Sequence, residues 1–233
     1  VWVCIIGKED DRVVTQDKRR GIRWYFWAED DIHIIYLQDS DGDENWHVYS
    51  VDLTNDITRD LTPFIGIQAR VQATDPNFPN QLLVGLNLRD RRLFDVYRID
   101  LNTGALEKDT ENPGDVMGWL TDPDFQIRGA QAMTPDGGAQ LRVRDDTKSP
   151  WRPLVTWGPE DNLCSGIGFT PDGKGVYLRD SRDANTMRLV EIDIATGKQT
   201  ILASDPEYDI GWMIIHPRTH QVQACLLYTS PSP

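Results

Sequence analysis

His47-Val48-Tyr49-Ser50-Val51-Asp52-Leu53 returns as Asp95-Val96-Tyr97-Arg98-Ile99-Asp100-Leu101, and again as Arg188-Leu189-Val190-Glu191-Ile192-Asp193-Ile194. A weaker copy, Gln140-Leu141-Arg142-Val143-Arg144-Asp145-Asp146, falls between the last two. The closing aspartates at 52, 100, 146 and 193 are 48, 46 and 47 residues apart. A proline keeps the same time: Pro76, Pro123, Pro171 and Pro217 trail those aspartates by 24, 23, 25 and 24 residues. Two markers that share a period and hold a phase define an internal repeat, and a unit of this length belongs to solenoids, arrays or propellers.

Working outward from that stretch, the apolar residues inside each period alternate at two rather than 3.6, in short runs broken by turn residues. That is β structure, and helical repeats of similar length would need longer amphipathic runs than the turn signals allow. Asp100-Leu101-Asn102-Thr103-Gly104 and Asp193-Ile194-Ala195-Thr196-Gly197 supply a type I turn followed by a glycine free to take positive φ, the usual tight link between antiparallel strands. The aspartate accepts hydrogen bonds from N–H groups just beyond it, which gives its recurrence a structural cause. The fold class expected is all-β: a partial β-propeller with about four complete four-stranded blades, at 22–64, 68–112, 115–159 and 165–204, and partial blades at 1–16 and 210–224.

Of the 233 residues, 39% are hydrophobic and 26% charged, as in ordinary globular proteins, and no run approaches the length of a membrane span. The formal net charge is -13 and no basic cluster exceeds Lys18-Arg19-Arg20, so no nucleic-acid or membrane-surface partner is expected. Cys4, Cys164 and Cys225 are far apart and support neither a disulfide framework nor a zinc site. The chain starts without Met, as a piece of a longer protein would. Its last nine residues, 225–233, read codon for codon as the translation of a transposase adapter used in sequencing libraries, and are expected to be non-native.

A set of ordered motifs carries a family resemblance. Asp41-Gly42-Asp43-Glu44-Asn45-Trp46-His47, Asp60-Leu61-Thr62-Pro63-Phe64, Leu83-Val84-Gly85-Leu86-Asn87 with Arg89-Asp90, Phe94-Asp95-Val96-Tyr97-Arg98 and Glu111-Asn112-Pro113-Gly114 together resemble the N-terminal propeller of bacterial S9 serine peptidases, the prolyl oligopeptidase family. The resemblance covers 1–224 and implies a two-domain enzyme: the propeller gates access of short peptide substrates to a C-terminal α/β-hydrolase domain with a Ser-Asp-His triad. No serine here has glycine two residues before it, so the nucleophile elbow is absent and no catalytic, cofactor-binding or metal residue is expected in the chain. The rival expectation is a stand-alone TolB-like propeller acting as a protein-interaction scaffold. The compartment stays open between cytoplasm and periplasm, with the cytoplasm favoured.

Sharper readings give way to plainer ones. In Asp39-Ser40-Asp41-Gly42-Asp43-Glu44-Asn45 the glycine comes fourth, and Ser50 stands where a calcium loop needs glutamate, so a solvated turn is expected. Pro217 rules out a helical metal pair from His216 and His220, and His33 and His47 read as ordinary sheet residues. Some S9 propellers use loop Glu and Arg side chains to bind peptide termini. The residues of that kind here are Glu44, Arg89, Arg91 and Arg182, all expected on loops between strands.

Overall fold

A computed structural model describes residues 1–16, 21–22, 24–161 and 163–229; Lys18-Arg19-Arg20 and the last four residues of the chain lie outside the described residues. The chain divides into two compact units, Val1–Asn112 and Pro113–Pro233. The first unit holds a two-stranded sheet, β1 (Trp2–Val3) with β2 (Arg12–Val13), and two four-stranded sheets. These are β3 (Tyr25–Trp27), β4 (His33–Gln38), β5 (His47–Asp52) and β6 (Ile57–Asp60), then β7 (Ala69–Ala73), β8 (Gln81–Asp90), β9 (Leu93–Asp100) and β10 (Leu106–Thr110). The second unit continues with β11 (Val116–Thr121), β12 (Ile127–Met133), β13 (Ala139–Val143) and β14 (Arg152–Trp157), followed by β15 (Ser165–Phe169), β16 (Gly175–Asp180), β17 (Arg188–Asp193) and β18 (Gln199–Ala203). A two-stranded sheet of β19 (Ile210–Ile215) and β20 (Val222–Leu227) closes it.

Among the described residues every sheet is an antiparallel meander whose strand order follows the sequence, so the fold is the partial propeller that the repeat announces: four complete blades with two-stranded pieces before and after. The repeated stretch is the third strand of a blade. Its aspartate turns the chain as expected: Asp100 accepts from the Thr103 N–H and hydroxyl (2.8 and 2.9 Å), Asp193 from Thr196 (2.7 and 2.6 Å). Gly104 and Gly197 follow at φ 73° and 70°, and their N–H groups return to the carbonyls of Asp100 and Asp193. In the first complete blade Asp56 takes that left-handed position, at φ 59°. The proline marker also has a place: Pro76, Pro123, Pro171 and Pro217 sit in the turn between first and second strands.

Apolar alternation fixes which faces meet. Ile35, Val48 and Leu61 of one blade and Leu82, Val84, Leu86 and Ile99 of the next form one buried cluster in the first unit. In the second, Leu141, Val155 and Trp157 pack with Phe169, Leu178 and Val190. Burying each such side chain is worth about 1.5–3 kcal/mol, which makes face-to-face stacking of blades the main source of stability.

Polar clasps join the same neighbours. Arg12 pairs with Asp56 and donates to the Leu53 carbonyl (3.0 Å), Arg59 donates to the Asn102 carbonyl (3.4 Å), and Arg152 to the Ile194 carbonyl (3.1 Å). Arg59 and Arg152 lie on the fourth strand of a blade and Arg12 on the last strand of the two-stranded piece, and each acceptor lies in the turn that follows the third strand of the next blade.

β20 runs past Ala224 through Cys225 to Leu227, with Cys225 opposite Met213 and Leu227 opposite Ile210. Cys-Leu-Leu is apolar enough to extend the strand, although Leu226 and Tyr228 remain 56% and 66% exposed.

Candidate functional site

A meander places its first-to-second and third-to-fourth turns at one end of the sheet, and its second-to-third loops, with the links to the next blade, at the other. Glu44, Arg89, Arg91 and Arg182 all fall at the second end. The structure uses them differently.

Arg89 is on β8 rather than in a loop. It grips the Asp95 carboxylate with Nε and Nη2 (3.0 and 2.9 Å) and donates to the Asn112 carbonyl (2.8 Å), while the Asn112 N–H returns to Asp95 (2.8 Å). Asp95 is 1% exposed. Burial pushes its carboxyl upward, but Arg89 and the Asn112 N–H outweigh that and hold it below the usual range. Arg182 repeats the arrangement on Asp180, also 1% exposed, with its Nη2 2.7 Å from the carboxylate. Here too burial raises the carboxyl and the guanidinium, with the Trp157 indole N–H, more than reverses it. These two arginines are buttresses of the loops.

Glu44 and Arg91 are exposed, and a hydrogen-bonded frame fixes where they stand. Gln68, in the link into β7, donates from Nε2 to the Glu44 carbonyl (3.2 Å) and from its main-chain N–H to Asn87 Oδ1 (2.7 Å). Asn87, 7% exposed at the end of the apolar run of β8, donates in turn to the Arg91 carbonyl (3.1 Å). Glu44 itself holds φ 57°, with its N–H on Asp39 (3.3 Å). The acidic run around it is a self-bonded turn: Asp43 accepts from the N–H groups of Ser40 and Asn45 (3.2 and 3.1 Å). Gly85 leaves room at the same rim for Phe94, since a Cβ there would lie 3.3 Å from that of Phe94.

The motifs Leu83–Asn87 and Phe94–Arg98 thus carry parts of one rim. Gln68 and Arg70, which belong to it, are missed by sequence reasoning. They are polar residues beside a strand start, and only the register that sets Arg70 opposite Gly85 brings them there. The histidines find carboxylates instead of each other: His33 Nδ1 is 2.6 Å from Asp30 and His47 Nδ1 is 2.7 Å from Asp60. Among the described residues no group of three His, Cys, Asp or Glu side chains is placed to hold a metal ion.

No protein-family model matches the chain. Over 226 residues, 96% of its length, it is 40% identical to dipeptidyl aminopeptidase BIII of Pseudoxanthomonas mexicana. It is a propeller of the S9 peptidase type. The S9 propeller described here spans 33% of that relative. It also covers 28% of dipeptidyl peptidase family member 6 of Caenorhabditis elegans, to which 94% of it aligns at 23% identity. The chain therefore spans about a third of the curated relatives it matches, and they hold further sequence outside the shared region. Among solved structures, oligopeptidase B from Leishmania major superposes with a TM-score of 0.56 at 11% identity, over 94% of this chain and 33% of that one. TolB from Agrobacterium tumefaciens gives 0.55 at 15%, over 88% and 69%. These last two likenesses bear on fold alone.

Proposed function

We propose that the chain is the non-catalytic, substrate-gating propeller of an S9 serine peptidase, acting with an α/β-hydrolase domain of the same protein on short peptides. The observation that carries this is the 40% identity to a dipeptidyl aminopeptidase along nearly the whole chain. Blades of this kind wall off a cavity in which water is scarce and binding is favoured, while the nucleophile is supplied from elsewhere. The TolB likeness that would favour the scaffold reading, at 15% identity, is one of architecture. In keeping with the adapter reading, 225–233 is taken as foreign to the protein.

The test is to extend the gene downstream and assay the intact product. The proposal expects a Gly-x-Ser-x-Gly elbow followed by Asp and His, and release of dipeptides from peptides with a free amino end. A gene that stops after its last blade, or an intact product inert on such peptides, overturns it.

A further inference from the structure

Each complete blade ends in an outermost strand, β6, β10, β14 or β18, with one edge that among the described residues pairs with no other strand. A bare edge is a template for another chain, and folded proteins blunt it with charge or proline. Three of the four strands do so: β6 carries Arg59 and Asp60, β10 carries Glu107, Lys108 and Asp109, and β14 carries Arg152 and Pro153. β18, Gln199-Thr200-Ile201-Leu202-Ala203, carries neither. The register shift at Leu202 does not set it apart, because β10 and β14 have such shifts too. Ile201, at the middle of β18, is 53% exposed. It stands opposite Val190, whose side chain packs with Val155 and Trp157 of the preceding blade, so its exposure is not on the side of the two-stranded sheet that follows. Beyond the strand, Lys198 and Asp205 bracket the uncharged run 199–204 with opposite signs. The Asp205 carboxylate is held in place by the N–H groups of Glu207 and Tyr208 (2.9 and 3.0 Å).

We propose that β18 pairs edge to edge with β18 of a second copy, antiparallel about a two-fold axis, joining two blades into one eight-stranded sheet. Antiparallel pairing with Ile201 opposite its twin brings Lys198 of each strand beside Asp205 of the other, so both ends of the uncharged run close on opposite charge. Parallel pairing would set lysine on lysine and aspartate on aspartate. At a net charge of -13 two copies repel, and a contact between them needs a strip free of carboxylates. β14 also lacks carboxylates, but Pro153 has no N–H to give to a partner strand. Main-chain hydrogen bonds supply the attraction, and the facing side chains set the register.

The experiment is analytical ultracentrifugation of the intact protein over a range of concentrations, which reads association and does not depend on the peptidase reading. The expected result is a monomer–dimer equilibrium with a Kd on the order of 10–100 μM, as suits an interface smaller than the standard size. Ile201→Lys sets two like charges face to face and weakens the dimer at least about tenfold, while the melting temperature of the monomer stays unchanged because the side chain is exposed. Lys198→Glu weakens it by a smaller factor, about threefold. Ile201→Cys links two copies under mild oxidation, since facing residues of an antiparallel pair have Cα atoms about 4.5–5.5 Å apart, within reach of a disulfide. The same change at Glu107 on β10 leaves linkage at the wild-type level. A protein that stays monomeric to about 300 μM overturns the proposal. So does a dimer that I201K leaves intact, or one that I201C does not link. If I201K lowers the melting temperature as well, the cysteine variant decides alone.

Discussion

The two ends of each blade are built by different rules. At one end the chain turns by repetition: Asp52, Asp100, Asp146 and Asp193 each cap the bend after the third strand, through their own side-chain oxygens. At the other end the loops differ from blade to blade, although Arg89–Asp95 and Arg182–Asp180 share one arrangement. The loops between second and third strands are 39–46, 91–92, 134–138 and 181–187, which share neither length nor composition. Repetition marks what every blade needs in order to stand, whereas departure from it marks where single blades carry individual chemistry.

That contrast can be broken. If the irregular end were mere surface, substitutions there would cost little, yet Asp95→Ala is expected to cost the most, about 2–3 kcal/mol. It strands Arg89 and the Asn112 N–H at a buried position, and the half-exposed guanidinium keeps the loss below that of a fully buried pair. Chemical denaturation of the intact protein, read by tryptophan fluorescence, measures it. The pH dependence has a definite sign. The folded Asp95 carboxyl lies below its unfolded value near 4, so its contribution is complete above about pH 5 and is lost as pH falls through the folded value. Asp95→Asn flattens that acid limb, and an unaltered limb would contradict the assignment.

Asn87→Ala comes next, at about 1–2 kcal/mol, since it leaves the Gln68 N–H and the Arg91 carbonyl without partners. At the repetitive end the expected losses are smaller and resemble one another. Gly104→Ala and Gly197→Ala each cost about 1 kcal/mol for a side chain at positive φ. Gly104→Ala is the worse of the two. Its new Cβ would lie 2.8 Å from Arg59 Nη1, while Gly197 has open space. Equal melting temperatures for the pair would show that the Arg59 clasp contributes nothing. Smallest of all, Glu44→Ala should move stability by less than about 0.5 kcal/mol, because the frame holds its carbonyl and not its carboxylate.

The difference between the ends also decides what a single sequence discloses. Asp100, Thr103 and Gly104 lie within five residues, so their hydrogen bonds write themselves into local sequence, and the period of those turns fixes strand count and fold. The rim is assembled from Glu44, Gln68, Asn87 and Arg91, which meet only once β7 has paired with β8 and the link from β6 has returned beside them. Asn87 enters the sequence reading only as the last residue of a motif that carries the family resemblance, and its partners are not legible there. Arg89 shows the opposite limit. Its type and place suggested a ligand contact, and only the depth of Asp95 reveals that it is spent on the protein itself.

The clasps of Arg12, Arg59 and Arg152 close on main-chain carbonyls of the neighbouring blade. A carbonyl is the one acceptor that no point mutation of its own residue removes. For these main-chain contacts a blade asks its neighbour only for a bend of the right shape, and Arg12 alone of the three adds a side-chain partner there, Asp56. Copies of one ancestral blade could therefore drift apart in sequence, each acquiring its own outer loops, without having to renegotiate the joint with the blade beside it.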